Sequence, residues 1–204
     1  MVNGAYTVTP TKAGFTFTPV NRAVTVAGAN VAAVNFTASS TVAAVFVRND
    51  ATTQGTWHGV HGAQGFTLAN GPASLPAFAT VTLTGQTPFT WAATTTDVRA
   101  LQNPLPATTR FAATWFSNTT FNIDVNLTDN LTHRVAVYAV DWDSTTRAQR
   151  IDVVDAVTGT VLDSRTMTGF NAGQYLVWDL TGHVTLRVTH TGGDNAVVSA
   201  VFFD

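Results

Sequence analysis

Phe121-Asn122-Ile123-Asp124-Val125-Asn126-Leu127 alternates apolar and polar residues without a break, and His183-Val184-Thr185-Leu186-Arg187-Val188 repeats the pattern further along. Side chains of an extended strand point alternately to opposite faces, so this period of two predicts strands with one face buried. Tyr6-Thr7-Val8-Thr9 and Phe15-Thr16-Phe17-Thr18 show the same alternation on a shorter scale. No segment sustains a helical period, and the stretch from Thr96 to Leu101 is a single helical turn at most. Thr84-Gly85, Asp129-Asn130, Thr158-Gly159, Thr181-Gly182 and Gly192-Gly193 supply turn chemistry between the strands. Short strands punctuated in this way predict an all-β chain built as an antiparallel β-sandwich.

Composition points the same way. The 204 residues are 45% hydrophobic and only 11% charged, against about 25% charged in ordinary soluble domains. Such a chain can bury a core. Glu is absent, Lys12 is the one lysine, and Thr, Asn, Ser and Gln carry most of the polarity. Thr is β-branched and suits a pleated, half-buried surface, whereas Glu and Lys are residues that strands avoid. The formal net charge is -2 and the arginines are scattered, so no basic stripe for nucleic acid is present. No apolar run approaches a membrane span, and Met1-Val2-Asn3-Gly4 lacks the regions of a signal peptide. Cysteine is absent, which excludes disulfides, thiolate metal sites and thiol nucleophiles.

Two regions separate at Ala38-Ser39-Ser40-Thr41. In residues 1–38, Tyr6-Thr7-Val8-Thr9-Pro10, Gly14-Phe15-Thr16-Phe17-Thr18-Pro19, Val24-Thr25-Val26 and Val34-Asn35-Phe36-Thr37-Ala38 resemble the last strands of Ig-like or prealbumin-like repeats of bacterial surface proteins. A fragment of that size does not close a core alone. It is expected to pack on the larger region, to pair with another chain, or to stay partly ordered, and its unpaired edges favour self-association through the N-terminal strands.

In residues 39–204 the telling stretches are Thr53-Gln54-Gly55-Thr56-Trp57, Gly59-Val60-His61-Gly62, Val98-Arg99-Ala100-Leu101, Asp141-Trp142-Asp143-Ser144 and Asn195 to Phe203. They resemble the accessory modules of large secreted bacterial proteins and glycoside hydrolases, which are galactose-binding-like jelly rolls. The resemblance implies a jelly-roll β-sandwich, a secreted or cell-surface location, and a non-catalytic role in binding a polysaccharide or cell-surface glycan. Fold alone does not transfer function, so the residues must carry it.

The most distinctive loop runs from Gln54 to Gly65, where four glycines surround Trp57, His58 and His61. In one reading Trp57 offers a flat face to a sugar and the histidines offer hydrogen bonds or a metal pair. In the other, Trp57 plugs the sandwich and the histidines are satisfied locally. The two histidines lack the His-Glu-x-x-His pattern of zinc helices. Asp141-Trp142-Asp143 forms a second constellation, with the two carboxylates on one strand face and Trp142 on the other. The carboxylates could take a structural calcium, which wants several oxygen ligands, or pair with Arg147 or Arg150. Trp142 and Arg147 are counted with Trp57, His58 and His61 as candidate ligand contacts. Trp91, Trp115 and Trp178 sit in alternating strands and are expected in the core. Asp155 is expected to cap a turn, Asp97 to pair with Arg99, and Asp152 and Asp163 to face solvent.

Catalytic templates mostly fail: without Glu a paired-carboxylate glycosidase would need two Asp, which no spacing selects, and there is no Gly-x-Ser-x-Gly elbow and no phosphate-binding Gly-Lys-Ser/Thr loop. Three functions stay open. They are a carbohydrate-binding module, a structural or adhesive subunit assembling by strand pairing, and a metal-assisted hydrolase using His58 and His61.

Overall fold

A computed structural model describes residues 1–12 and 14–204, and they form two compact units, Met1–Val42 and Ala43–Asp204. No helix occurs among the described residues, and every strand pairing is antiparallel.

The first unit holds β1 (Gly4–Val8), β2 (Phe15–Thr18), β3 (Arg22–Val26) and β4 (Thr37–Ser40). β1 pairs with β3 and β2 with β4, giving two separate ribbons. Ser39 and Ser40 pair with Thr16 and Phe15, so this unit runs on past Ala38. Val42 is its one buried hydrophobic among the described residues. Tyr6, Val8, Val24, Val26, Val31 and Val34 instead line an apolar groove of about 490 Å³.

The second unit contains β5 (Ala43–Asp50), β6 (Gly65–Leu68), β7 (Ala73–Ser74), β8 (Ala79–Thr84), β9 (Thr87–Thr95), β10 (Leu101–Gln102), β11 (Arg110–Ser117) and β12 (Thr120–Leu127). It continues with β13 (Thr132–Ala139), β14 (Ala148–Asp155), β15 (Val161–Thr168), β16 (Gln174–Thr181), β17 (His183–Gly192), β18 (Ala196–Val198) and β19 (Ala200–Phe203). One sheet has the order β15-β14-β17-β12-β8, a second β5-β16-β13-β19-β6-β7, and a third places β11 between β10, β9 and β18. The sheets pack as a β-sandwich.

Alternation decides the five-stranded sheet. Phe121, Ile123, Val125 and Leu127 are buried while Asn122, Asp124 and Asn126 point out, and β17 buries Val184, Leu186 and Val188 in the matching rows. The six-stranded sheet differs because β13 and β16 are buried on both faces. Val135, Val137, Leu176, Trp178, Val201 and Phe203 share one face. That face meets the five-stranded sheet, where the Trp178 indole Nε1 donates to the Asp163 carboxylate of β15 at 2.7 Å. The opposite face carries Tyr138, Tyr175 and Phe202, and the glycine-rich loop of residues 51–64 covers it with Trp57 and His61. Two glycines make that close cover possible. A Cβ on Gly55 would overlap the Ala100 carbonyl, and Gly62 adopts φ +77° with the Phe202 and Trp57 rings against it. Residues 97–100 form a turn closed by Ala100 N–H on the Asp97 carbonyl.

The inward rows of β12 carry the sandwich core. Ile123→Ala, fully buried, is expected to lower unfolding free energy by about 2–5 kcal/mol. Asn122→Ala, one residue away on the outward face, is expected to stay within about 0.5 kcal/mol of the parent. Urea unfolding of the two variants tests which face is which.

Candidate functional site

The glycine-rich loop is built inward. Trp57 is 3% exposed, its Nε1 donates to the Gln102 carbonyl at 2.9 Å, and its ring lies 5.0 Å from Phe66 and 5.1 Å from Phe202. It is a core plug, so the expected sugar platform at Trp57 is corrected: its face is not available to a ligand. His58 stacks on Trp57 at 3.9 Å, with its Nε2 3.0 Å from the Asn103 carbonyl. His61 stacks on Tyr175 at 4.3 Å, and its two ring nitrogens lie 3.4 Å from Asp50 and 3.4 Å from Asp204. The two histidines therefore have separate partners.

Asp50 and Asp204 close this loop. Asp50 accepts from Thr52 N–H, Thr53 N–H and both threonine hydroxyls, at 2.6–3.0 Å. Burial pushes its carboxyl up, yet the hydrogen bonds from Thr53 and Thr52 outweigh that and hold it well below the usual carboxylate range. Asp204 is lowered too: burial raises it, and the His61 and Ala63 contacts more than offset the rise.

Around Arg147 the second constellation is an ion-pair cluster. Arg147 is 4% exposed. Its Nη1 lies 2.5 Å from Asp141 and 2.6 Å from Asp143, its Nε donates to Asn195 at 2.9 Å, and Asp194 sits at 3.7 Å. The Arg147 N–H also donates to Asp141 at 3.0 Å. Calcium does not fit between Asp141 and Asp143, because the guanidinium already bridges them and a divalent ion would meet its charge. No group of three or more His and Asp side chains placed to hold a metal occurs among the described residues.

What surrounds that cluster is an open aromatic shelf. Phe89 and Trp91 lie on one face of β9, two residues apart, and β11 sets Thr114 opposite Phe89. Trp91 is half-buried, not the core residue expected, and Phe89 is exposed. Trp142, also half-buried, lies near-parallel to Trp91 with centroids 6.5 Å apart. Phe89 meets Trp91 edge-on at 6.3 Å and Phe116 at 6.4 Å. The Arg99 guanidinium lies 4.6 Å over Trp142, and that of Arg147 lies 5.8 Å from Trp91. Arg99 is itself clamped by Asp97 at 2.8 Å and donates to the Asn171 carbonyl at 3.0 Å. Trp115 and Trp178 are core residues, as expected.

Three other carboxylates are structural. Asp155 caps its turn, accepting from Val157 and Thr158 N–H at 2.9 and 3.2 Å. Asp152, expected to face solvent, is 2% exposed and held by Arg150, Arg187 and Ser164. Asp163, also expected outside, accepts from Arg165 and Trp178.

Of the alternatives open for Asp141 and Asp143, the structure shows the pairing with Arg147, while Arg150 pairs with Asp152. Phe89, Trp91, Arg99 and Asn195 were not among the candidate contacts. The signal for the first two was present, since Phe89-Thr90-Trp91 alternates, but period two does not say whether a strand face is covered. No protein-family model matches the chain, and no curated protein matches it. Among solved structures it is similar to the enzymatically active domain of tailspike protein 4 of bacteriophage CBA120, at 16% identity and a TM-score of 0.32. That alignment covers 62% of this chain and 19% of the tailspike chain.

Trp57→Ala is expected to cost about 3–5 kcal/mol of stability through the cavity it opens, read by urea unfolding. Asp50 contributes as a carboxylate, so its stabilisation is full above the ordinary aspartate range near pH 4 and is lost as pH falls below it. Asp50→Asn is expected to lower the urea midpoint at pH 7 and to flatten its decline between pH 4 and pH 2.

Proposed function

We propose that this chain is a non-catalytic carbohydrate-binding module, and that its platform is the shelf of Phe89, Trp91 and Trp142. The observation that carries this reading is a set of aromatic rings left partly open beside polar groups already locked in place. A sugar ring has an apolar face of C–H groups that stacks on an aromatic ring, and a rim of hydroxyls that needs fixed donors and acceptors. Trp91 and Trp142 offer the first, and Asp143, Asn195 and Ser144 line the adjoining cavities and offer the second. Arg147 and Asp97 hold the neighbouring side chains from below, so little conformational entropy is lost when a ligand settles.

Catalysis is the weaker reading. His58 and His61 are committed to backbone and carboxylate partners, and Asp141 and Asp143 share one guanidinium, so none of these candidates is set as an acid-base pair across a cleft.

A glycan array with the whole chain, followed by isothermal titration calorimetry on the best ligand, tests the assignment. Trp91→Ala and Trp142→Ala are each expected to weaken binding about tenfold or more while leaving the fold intact. Unchanged affinity in both variants would place the ligand elsewhere.

A further inference from the structure

The shelf is divided by one carboxylate. Asp143 lines a cavity of about 200 Å³ on the side of Phe89, Trp91 and Phe116. It also lines a second, of about 430 Å³, on the side of Trp142, Arg99 and Asn171. Its Oδ1 is fixed by Arg147 at 2.6 Å, whereas its Oδ2 has no hydrogen bond among the described residues. The side chain is 50% exposed, so this free oxygen is open to a ligand spanning both cavities.

We propose that the site selects uncharged glycans of at least two sugar rings, with Asp143 as the acceptor between the rings, and excludes polyanionic ones. The inference rests on the glycan-binding reading above and adds the ligand class. An ionised carboxylate takes hydroxyl hydrogens in short, charge-assisted hydrogen bonds, and neighbouring sugar hydroxyls are suitable donors. Two cavities meeting at one acceptor fit two consecutive rings, the first against Trp91 and the second against Trp142.

Charge decides the exclusion. Four carboxylates surround the shelf, those of Asp97, Asp141, Asp143 and Asp194, against the two guanidinium groups of Arg99 and Arg147. Neither guanidinium is free to receive an anion. Arg99 spends its Nε and Nη2 on Asp97 and its Nη1 on the carbonyls of Asn171 and Trp142. Arg147 is buried and shared among Asp141, Asp143, Asn195 and Asp194. A uronate or sulfate group would bring negative charge against Asp143 with no free cation to meet it, and like-charge contact opposes binding.

Calorimetry with the whole chain should compare neutral oligosaccharides (glucan, mannan and galactan series) with alginate and heparin oligosaccharides. The expected result is binding in a neutral series that strengthens from one ring to two, with no measurable affinity for either polyanion. Asp143→Asn keeps the shape but loses the charge, and is expected to weaken neutral binding about tenfold or more. Circular dichroism verifies its fold. Tighter binding of a polyanion that Trp91→Ala abolishes would leave the platform standing and overturn the selectivity. Neutral binding unchanged in Asp143→Asn would overturn the anchor. Binding to neither class would remove the glycan reading and this inference with it.

Discussion

Burial of the inner strands of the six-stranded sheet on both faces is the constraint from which the rest of the larger unit follows. An antiparallel sheet commonly packs one face and leaves the other to water, and the five-stranded sheet does so with its Asn122, Asp124 and Asn126 row. β13 and β16 instead carry unbroken apolar runs, residues 135–139 and 175–178, so both faces must be covered there. The partner sheet covers one. For the other, the chain supplies the loop between β5 and β6, whose glycines allow it to lie flat and whose Trp57 and His61 fill the space over Phe202 and Tyr175. The chemistry that made this loop conspicuous is spent on closing the fold.

A second constraint is electrostatic. Arg147 is buried at the point where the chain leaves the β13–β14 loop, and a buried guanidinium is tolerated only when its charge is met and its donors are used. Asp141, Asp143, Asn195 and Asp194 supply that, and in doing so they tie the β13–β14 loop to the turn between β17 and β18. Gln149, next along β14, continues the tie: its amide bonds both the N–H and the carbonyl of Val197. The loop that presents Trp142 is therefore pinned at its base while its outer side remains open.

Much of this architecture was legible in the sequence, and the legible part was what periodicity encodes. The rows Phe121 to Leu127 and Val184 to Val188 read as half-buried strands because alternation records a difference between two faces. The candidate site was legible only where charge complementarity is local, as in Asp141, Asp143 and Arg147, which lie within one short loop. Tryptophan carried no such signal. Trp57 and Trp91 each follow a threonine, and their fates depend on which distant segment covers them. For Trp57 that is Phe202 and the Gln102 carbonyl, far along the chain. For Trp91 the neighbour is Trp142, which stands beside it without sealing it. Asp152 shows the same limit in a carboxylate: strand alternation put it outward, and Arg150, Arg187 and Ser164 then closed over it.

The two constraints also account for where an open aromatic surface can survive. Exposed rings on a charge-poor chain invite unspecific association, and a protein tolerates them most readily when the patch is small and rimmed by polar groups. β9 meets that condition. It pairs with β11 along one edge, and its Phe89 and Trp91 face the Arg147 cluster, not another apolar layer. The cluster cannot be moved without stranding a buried charge, and the rings cannot be buried without displacing the cluster. Rigid polar groups beside uncovered rings are thus a consequence of how the sandwich ends at this edge.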